Sequence, residues 1–220
     1  IMLILALDTA INSCSVTISR DRRVLSEKII YKNFAASEII LPLITNQLRS
    51  AKVNFKDLEL IAITRGPGSY TGVRVGLAVA KGLSIGLNIP IIGISSLQIL
   101  ATEVAINIQE KKDIICVNKA RADELFFQEF KSNGAQSSIP KKIKQKTLVS
   151  IIENREVIIT GNFVDELGEI IFESDIAIYK NNPSKFSPSN LIVNFVSSII
   201  EKNDSFSNYP YDPIYLNSIK

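Results

Sequence analysis

The stretch Ile61–Leu87 constrains the fold more than any other part of the chain. An apolar run, Leu58–Ile63, leads into Arg65-Gly66-Pro67-Gly68-Ser69-Tyr70-Thr71-Gly72-Val73-Arg74, and the apolar segment Val73–Leu87 follows. That order predicts a strand, a tight loop and a buried helix. Gly66 and Gly68 allow positive φ, Pro67 restricts φ to one basin, and Ser69 or Thr71 can cap the helix. Such a loop gathers backbone N–H groups at a helix start, where an anion is well placed. The residues do not complete a known phosphate motif. Walker A requires Gly-Lys-[Ser/Thr] where this chain has Gly72-Val73-Arg74, and the dinucleotide fingerprint requires its third glycine at Thr71. The loop therefore reads either as a phosphate seat or as a structural strand-to-helix turn.

At 100° per residue the helix after the loop is apolar or small around nearly its whole circumference, with Arg74 and Lys81 sharing one charged stripe. Gly72, Gly76 and Ala80 form one small ridge; Ala78, Gly82 and Gly86 form another. A glycine inside a helix costs roughly 1 kcal/mol relative to alanine, so both ridges need a packing reason. Two ridges let two neighbours approach closely, one the parent sheet and one a second helix. A helix apolar on all sides belongs in a core. This one is too short and too charged to span a bilayer.

The residues 65–83 and Ile89-Pro90-Ile91-Ile92-Gly93-Ile94-Ser95-Ser96-Leu97 resemble the TsaB (YeaZ) family, subunits of the bacterial machinery that makes N6-threonylcarbamoyladenosine in tRNA. Leu3–Ala10 and Asn12–Val16 resemble the family's start, and the match is dense to about residue 97. The resemblance implies a two-lobed ribonuclease-H-like, actin-like α/β fold. It further implies a non-catalytic subunit that pairs with a TsaD-family catalytic subunit, forms a homodimer when alone, and meets tRNA through the complex, with a TsaE-family ATPase as a further partner. No cofactor is required by the subunit itself, and ATP or ADP is a candidate occupant of a subunit or lobe interface.

Composition supports this by exclusion. The 220-residue chain contains no histidine, which excludes Ser-His-Asp and Cys-His catalysis and His-based metal motifs, including the one the TsaD family carries. Its net charge of +3 is too small to argue for strong binding of nucleic acid by the chain alone. The cluster Lys141, Lys142, Lys144 and Lys146 reads as a solvated loop with RNA phosphates as an alternative. Cys14 and Cys116 have no metal or disulfide spacing and read as buried thiols of a reducing compartment. With no signal-peptide pattern, the expected location is the cytoplasm and no membrane is involved.

Along the chain, Met2–Leu7, Ser13–Ser19 and Arg23–Ile30 read as strands, Ala36–Ser50 as a helix that Pro42 kinks or in which it marks an early turn, and Ile89–Ile94 and Ser95–Ile108 as a further strand and helix. This βββαβα order sets a first, partner-binding lobe at residues 1–110, a second α/β lobe at 111–205, and an extended tail at 206–220 packing back on a lobe. In the second lobe Ile114–Val117, Glu124–Phe130, Val157–Thr160 and Ile176–Tyr179 read as strands. Asn133–Lys146 reads as a loop, and Thr147–Glu153, Asn162–Phe172 and Ser189–Lys202 as helices. In actin-like ATPases the turn after the first strand holds phosphate and metal. Here that turn is Asp8-Thr9-Ala10, with alanine where glycine is wanted. A nucleotide-dependent enzyme would use Asp8, Thr9, Gly66, Gly68, Ser69 and, from the second lobe, Arg121. Positions the family fills with His, Asp, Gly and Arg hold Ala36, Lys119, Asp123 and Asn217. For the partner interface the expected residues are Gly72, Val75, Gly76, Val79 and Leu83 of one helix, lying close to or under the face, with Ile40 and Ile44 of the other, and Gly76→Phe is expected to break pairing in a folded monomer.

Overall fold

The continuously apolar first run forms β1 (Leu3–Asp8), and every residue of it is buried. The computed structural model describes residues 2–11, 13–31, 36–167, 176–180 and 186–216. β1 pairs antiparallel with β2 (Ser13–Arg20), and β2 pairs antiparallel with β3 (Arg23–Tyr31). On its other edge β1 pairs in parallel with β4 (Leu60–Thr64), which pairs in parallel with β5 (Ile91–Ile94). The sheet order is β3-β2-β1-β4-β5. One face is covered by α1 (Ala36–Ala51) and α2 (Tyr70–Leu87). Leu3, Leu5, Leu7, Val16 and Ile18 of the sheet meet Ile40, Ile44, Leu48, Val73, Leu77 and Ala80 of the helices in one apolar cluster. α1 continues through Pro42 to Ala51.

The second sheet has the order β10-β9-β6-β7-β8. Here β6 (Asp113–Lys119), β7 (Glu124–Phe130) and β8 (Lys141–Lys144) pair antiparallel, and β6, β9 (Val157–Thr160) and β10 (Ala177–Tyr179) pair in parallel. This repeats the first sheet with β6 in the place of β1. α3 (Ser96–Asn107), α4 (Gln145–Ile152) and α5 (Val164–Leu167) accompany it. The end of the expected Asn133–Lys146 loop is thus β8. Its lysines alternate with buried Ile143, the pattern of a charged edge strand. Lys142 pairs with Glu124 at 3.3 Å, and Lys141 Nζ lies 4.9 Å above the Phe127 ring. Of the helix expected at Asn162–Phe172, residues 168–172 lie outside the described residues, as do Asn12 and Asn217.

The final helix, α6 (Pro188–Glu201), packs on β1, β2 and β4, on the face of the first sheet that α1 and α2 leave open. The hydroxyls of Ser189 and Thr17 are hydrogen-bonded at 2.7 Å, and Ser189 N–H donates to Ser15 Oγ at 3.2 Å. With helices on both faces, the sheet needs apolar residues at every position of its central strand, and β1 supplies them. Tyr209–Ile214 then lies along β5: Gly93 N–H donates to Tyr209 O and Ile214 N–H to Arg65 O. One unit therefore comprises Ile1–Ser96 and Ser187–Ile214, and the other Leu97–Phe186 and Tyr215–Lys220. This differs from boundaries at 110 and 205 because α6 completes the first sheet and α3 belongs almost wholly to the second unit. Both units are α/β and share the ribonuclease-H-like, actin-like strand order. No helix among the described residues is long and apolar enough to cross a membrane.

Candidate functional site

β1 and β4 end side by side at Asp8 and Thr64. The Asp8 carboxylate is fully buried and accepts hydrogen bonds from the Thr64 hydroxyl, from Ala10 N–H at 3.2 Å and from Ile11 N–H at 3.3 Å. Burial raises its pKa to about 6, against the downward pull of the Thr64 hydroxyl and the two N–H groups. Burial and the neighbouring Asp8 charge push the Cys14 thiol up to about 12. Cys14 and Cys116 are both buried and free.

The glycine-rich loop closes onto this turn. Thr9 Oγ1 donates to Gly72 O at 2.7 Å, and Ser69 N–H donates to Ala10 O at 3.2 Å. Ser69 caps α2 by accepting Gly72 N–H at 3.1 Å. A β-carbon on Gly68 would stand 2.5 Å from Ala10 O, and one on Gly72 would overlap Thr9 O. Gly66 holds φ at 85°, and its carbonyl accepts Ser96 N–H at 2.9 Å. Asp8, Thr9, Gly66, Gly68 and Ser69 lie on the two facing turns, and their polar groups are engaged by neighbours there: Asp8 by Thr64, Ala10 and Ile11, Thr9 by Gly72, Ser69 by Ala10 and Gly72, and Gly66 by Ser96. Ala10, where a glycine was wanted, is the residue whose carbonyl occupies the loop. Arg121 belongs to the other unit, exposed in the β6–β7 turn with its carbonyl accepting Glu124 N–H at 2.9 Å.

The second unit repeats the closure. At the end of β6, Asn118 Oδ1 accepts Asn162 N–H at 2.9 Å, and Asn162 Oδ1 accepts Lys119 N–H at 2.7 Å. Gly161, with φ of 122°, leaves no room for a β-carbon against Val117 O. This asparagine clasp was not foreseen; its signal is an asparagine at one strand end and Gly-Asn at the next. Lys119 Nζ pairs with Glu166. Among the described residues no group of three or more His, Cys, Asp or Glu could hold a metal ion.

The residues expected close to or under the partner face lie on the inward side of the two helices. Ile40 and Ile44 are fully buried, and Val75, Val79 and Leu83 pack half-buried on the same core. A β-carbon on Gly76 would overlap Thr9 Oγ1 and stand 3.0 Å from Ile63 Cδ1. The ridge of Gly72, Gly76 and Ala80 thus serves the parent sheet, and Gly76→Phe would disrupt the fold rather than test pairing. The other ridge is exposed: a β-carbon on Gly82 or Gly86 meets nothing within 4 Å. Next to Gly86 in the same helix, Ile85 is 80% exposed.

A family model described as "TsaD: tRNA N6-adenosine threonylcarbamoyltransferase" matches residues 31–171. A protein of Buchnera aphidicola subsp. Schizaphis graminum, named tRNA threonylcarbamoyladenosine biosynthesis protein TsaB, is 33% identical over 70% of this chain and 72% of its own. The protein of the same name from Buchnera aphidicola subsp. Baizongia pistaciae is 31% identical over 97% of both chains. The structure of YeaZ from Pseudomonas aeruginosa shares the fold with a TM-score of 0.78, at 21% identity over 98% of this chain and all of that one.

Proposed function

Because the chain belongs to the TsaB family, within the wider group that the TsaD model describes, we propose that it is the non-catalytic subunit of tRNA threonylcarbamoyladenosine biosynthesis and docks a TsaD-family catalytic subunit through the exposed ridge of α2. One observation carries the docking face. Gly82 and Gly86 sit inside a helix with open space where their side chains would be. Each weakens the helix by roughly 1 kcal/mol, and no contact within the unit requires them. A second helix pressed against the ridge would require them, because only a small ridge lets two backbones approach closely. Ile85 supplies exposed apolar area beside it.

The non-catalytic role draws support from the chemistry of the two strand-end turns. Nucleotide-dependent chemistry needs a carboxylate that can reach a metal and backbone N–H groups that can reach phosphate. Asp8 has both oxygens engaged and no solvent exposure, and Ser69 N–H is taken by Ala10 O. The corresponding turn of the second unit is closed by Asn118 and Asn162. The reacting groups and the tRNA contacts then fall to the partner.

Light scattering on a sizing column, with the protein alone and then mixed with the TsaD-family protein of the same source, tests this reading. A mixed complex is expected, and Gly82→Trp should abolish it without lowering the melting temperature. Normal pairing by that variant would move the interface elsewhere. Failure of the unaltered protein to pair, with ATP hydrolysis that is lost in Asp8→Ala, would replace the reading with an enzymatic one.

A further inference from the structure

The end of α1 and the segment that follows it enclose a groove of about 590 Å³, wholly within the first unit. Buried Leu48 and half-buried Val53 and Phe55 give it an apolar lining, and exposed Arg49 and Lys56 stand at its edge. Neither cation has an ion-pair partner among the described residues. The acids nearest in the chain are turned to backbone donors: Asp57 accepts Asn54 N–H at 2.8 Å and Glu59 accepts Leu3 N–H at 2.6 Å. Lys52, between the two cations in sequence, holds φ at 58° at the end of α1. That left-handed position favours glycine, so the chain carries a third cation there against its backbone preference.

We propose that this groove binds an acidic peptide segment of a partner protein, an aliphatic or aromatic side chain resting on Leu48, Val53 and Phe55 and flanking carboxylates meeting Arg49 and Lys56. Positive charge around an apolar slot complements that chemistry. RNA fits the groove less well. The neutral polar side chains of the groove are already engaged: Thr45 Oγ1 donates to Leu41 O at 3.0 Å, and the Asn54 amide donates to Asp57 at 3.4 Å. The two cations that line the groove also supply too few phosphate contacts for firm binding at physiological salt. The groove is separate from the ridge of Gly82 and Gly86, so its test is independent of pairing with a TsaD-family subunit.

The test is fluorescence anisotropy of the full chain with a labelled Glu-Glu-Leu-Phe-Glu-Glu peptide. Saturable binding is expected, weakened about tenfold or more by the double variant Arg49→Glu/Lys56→Glu, which changes only exposed positions. Replacing the peptide's glutamates by glutamine, or its Leu-Phe by Gly-Gly, should each weaken it comparably. The melting temperature of the double variant should match that of the unaltered protein, which separates binding from folding. No saturable binding, binding indifferent to the charge reversals, or capture of a single-stranded oligouridine in place of the peptide would each overturn the proposal.

Discussion

Gly76 of α2 lies directly against Thr9, at the end of β1, with no room for a β-carbon between them. Thr9 in turn donates to Gly72 O at 2.7 Å, one helical turn earlier. The glycines at 72 and 76 are therefore the sockets into which the turn after β1 fits, and the glycines at 82 and 86 are not. Gly76→Ala should destabilise the protein by about 1–3 kcal/mol, because packed surroundings must shift. Gly82→Ala should stabilise it by up to about 1 kcal/mol. Chemical denaturation of both variants checks the pair, and effects of the same sign would refute it.

Asp8 should leave a mark on the pH dependence of stability. Its pKa rises from the usual 3.8 to about 6 on folding, so the folded state holds the proton more tightly. The associated stability is fully present below pH 4 and is lost as pH rises through 6, about 3 kcal/mol in all. Glu103, pushed by burial to about 7, adds a second decline in the same direction. Asp8→Asn removes only the first. Denaturation at pH 4 and pH 7.5 should show the variant gaining on the wild type by about 3 kcal/mol between the two. A pH-independent difference would rule this account out.

The tail and β5 should be energetically coupled. A β-carbon on Gly93 would stand 2.6 Å from Pro210 O and from the Tyr211 α-carbon. Gly93→Ala is expected to cost about 2 kcal/mol in the full chain and little in a chain ending at Asn208. The coupling comes from a double-mutant cycle of urea midpoints. Equal costs in the two backgrounds would mean that the tail does not constrain the strand.

Ser69 contributes as a cap. Its side chain accepts Gly72 N–H at 3.1 Å from an exposed position. Ser69→Ala should cost about 1 kcal/mol, and Ser69→Asp should restore most of it. If alanine and aspartate behave alike in thermal melts, the loop rather than the cap sets the helix start.

Local patterns in the sequence carried the first sheet, the glycine-rich loop and both small ridges of α2. Period and spacing could not say which ridge met the sheet, since Gly76 and Gly82 look alike until Thr9 is placed. Nor could they tell that Asp8 would meet Thr64, a pairing fixed by the register of β1 on β4. The edge strand β8 was hidden because lysines alternating with Ile143 look polar on average. The destination of α6 was illegible for a different reason. An amphipathic helix announces that it will be buried but not where, and its contacts lie far away in the chain, as Thr17 with Ser189 shows.

The return of α6 and the tail to the first unit also orders events in time. Translation delivers Leu97–Phe186 as one continuous stretch, and the second sheet holds all its strands before Ser187 is made. The first sheet is begun earlier and finished later. Until Ser187–Ile214 has left the ribosome, one face of β1 and the β5 side of the sheet stay uncovered. For that interval the nascent chain presents the apolar surface and open strand edge that chaperones recognise and that aggregation exploits. The first sheet is thus begun before the second and covered only after the second has all its strands.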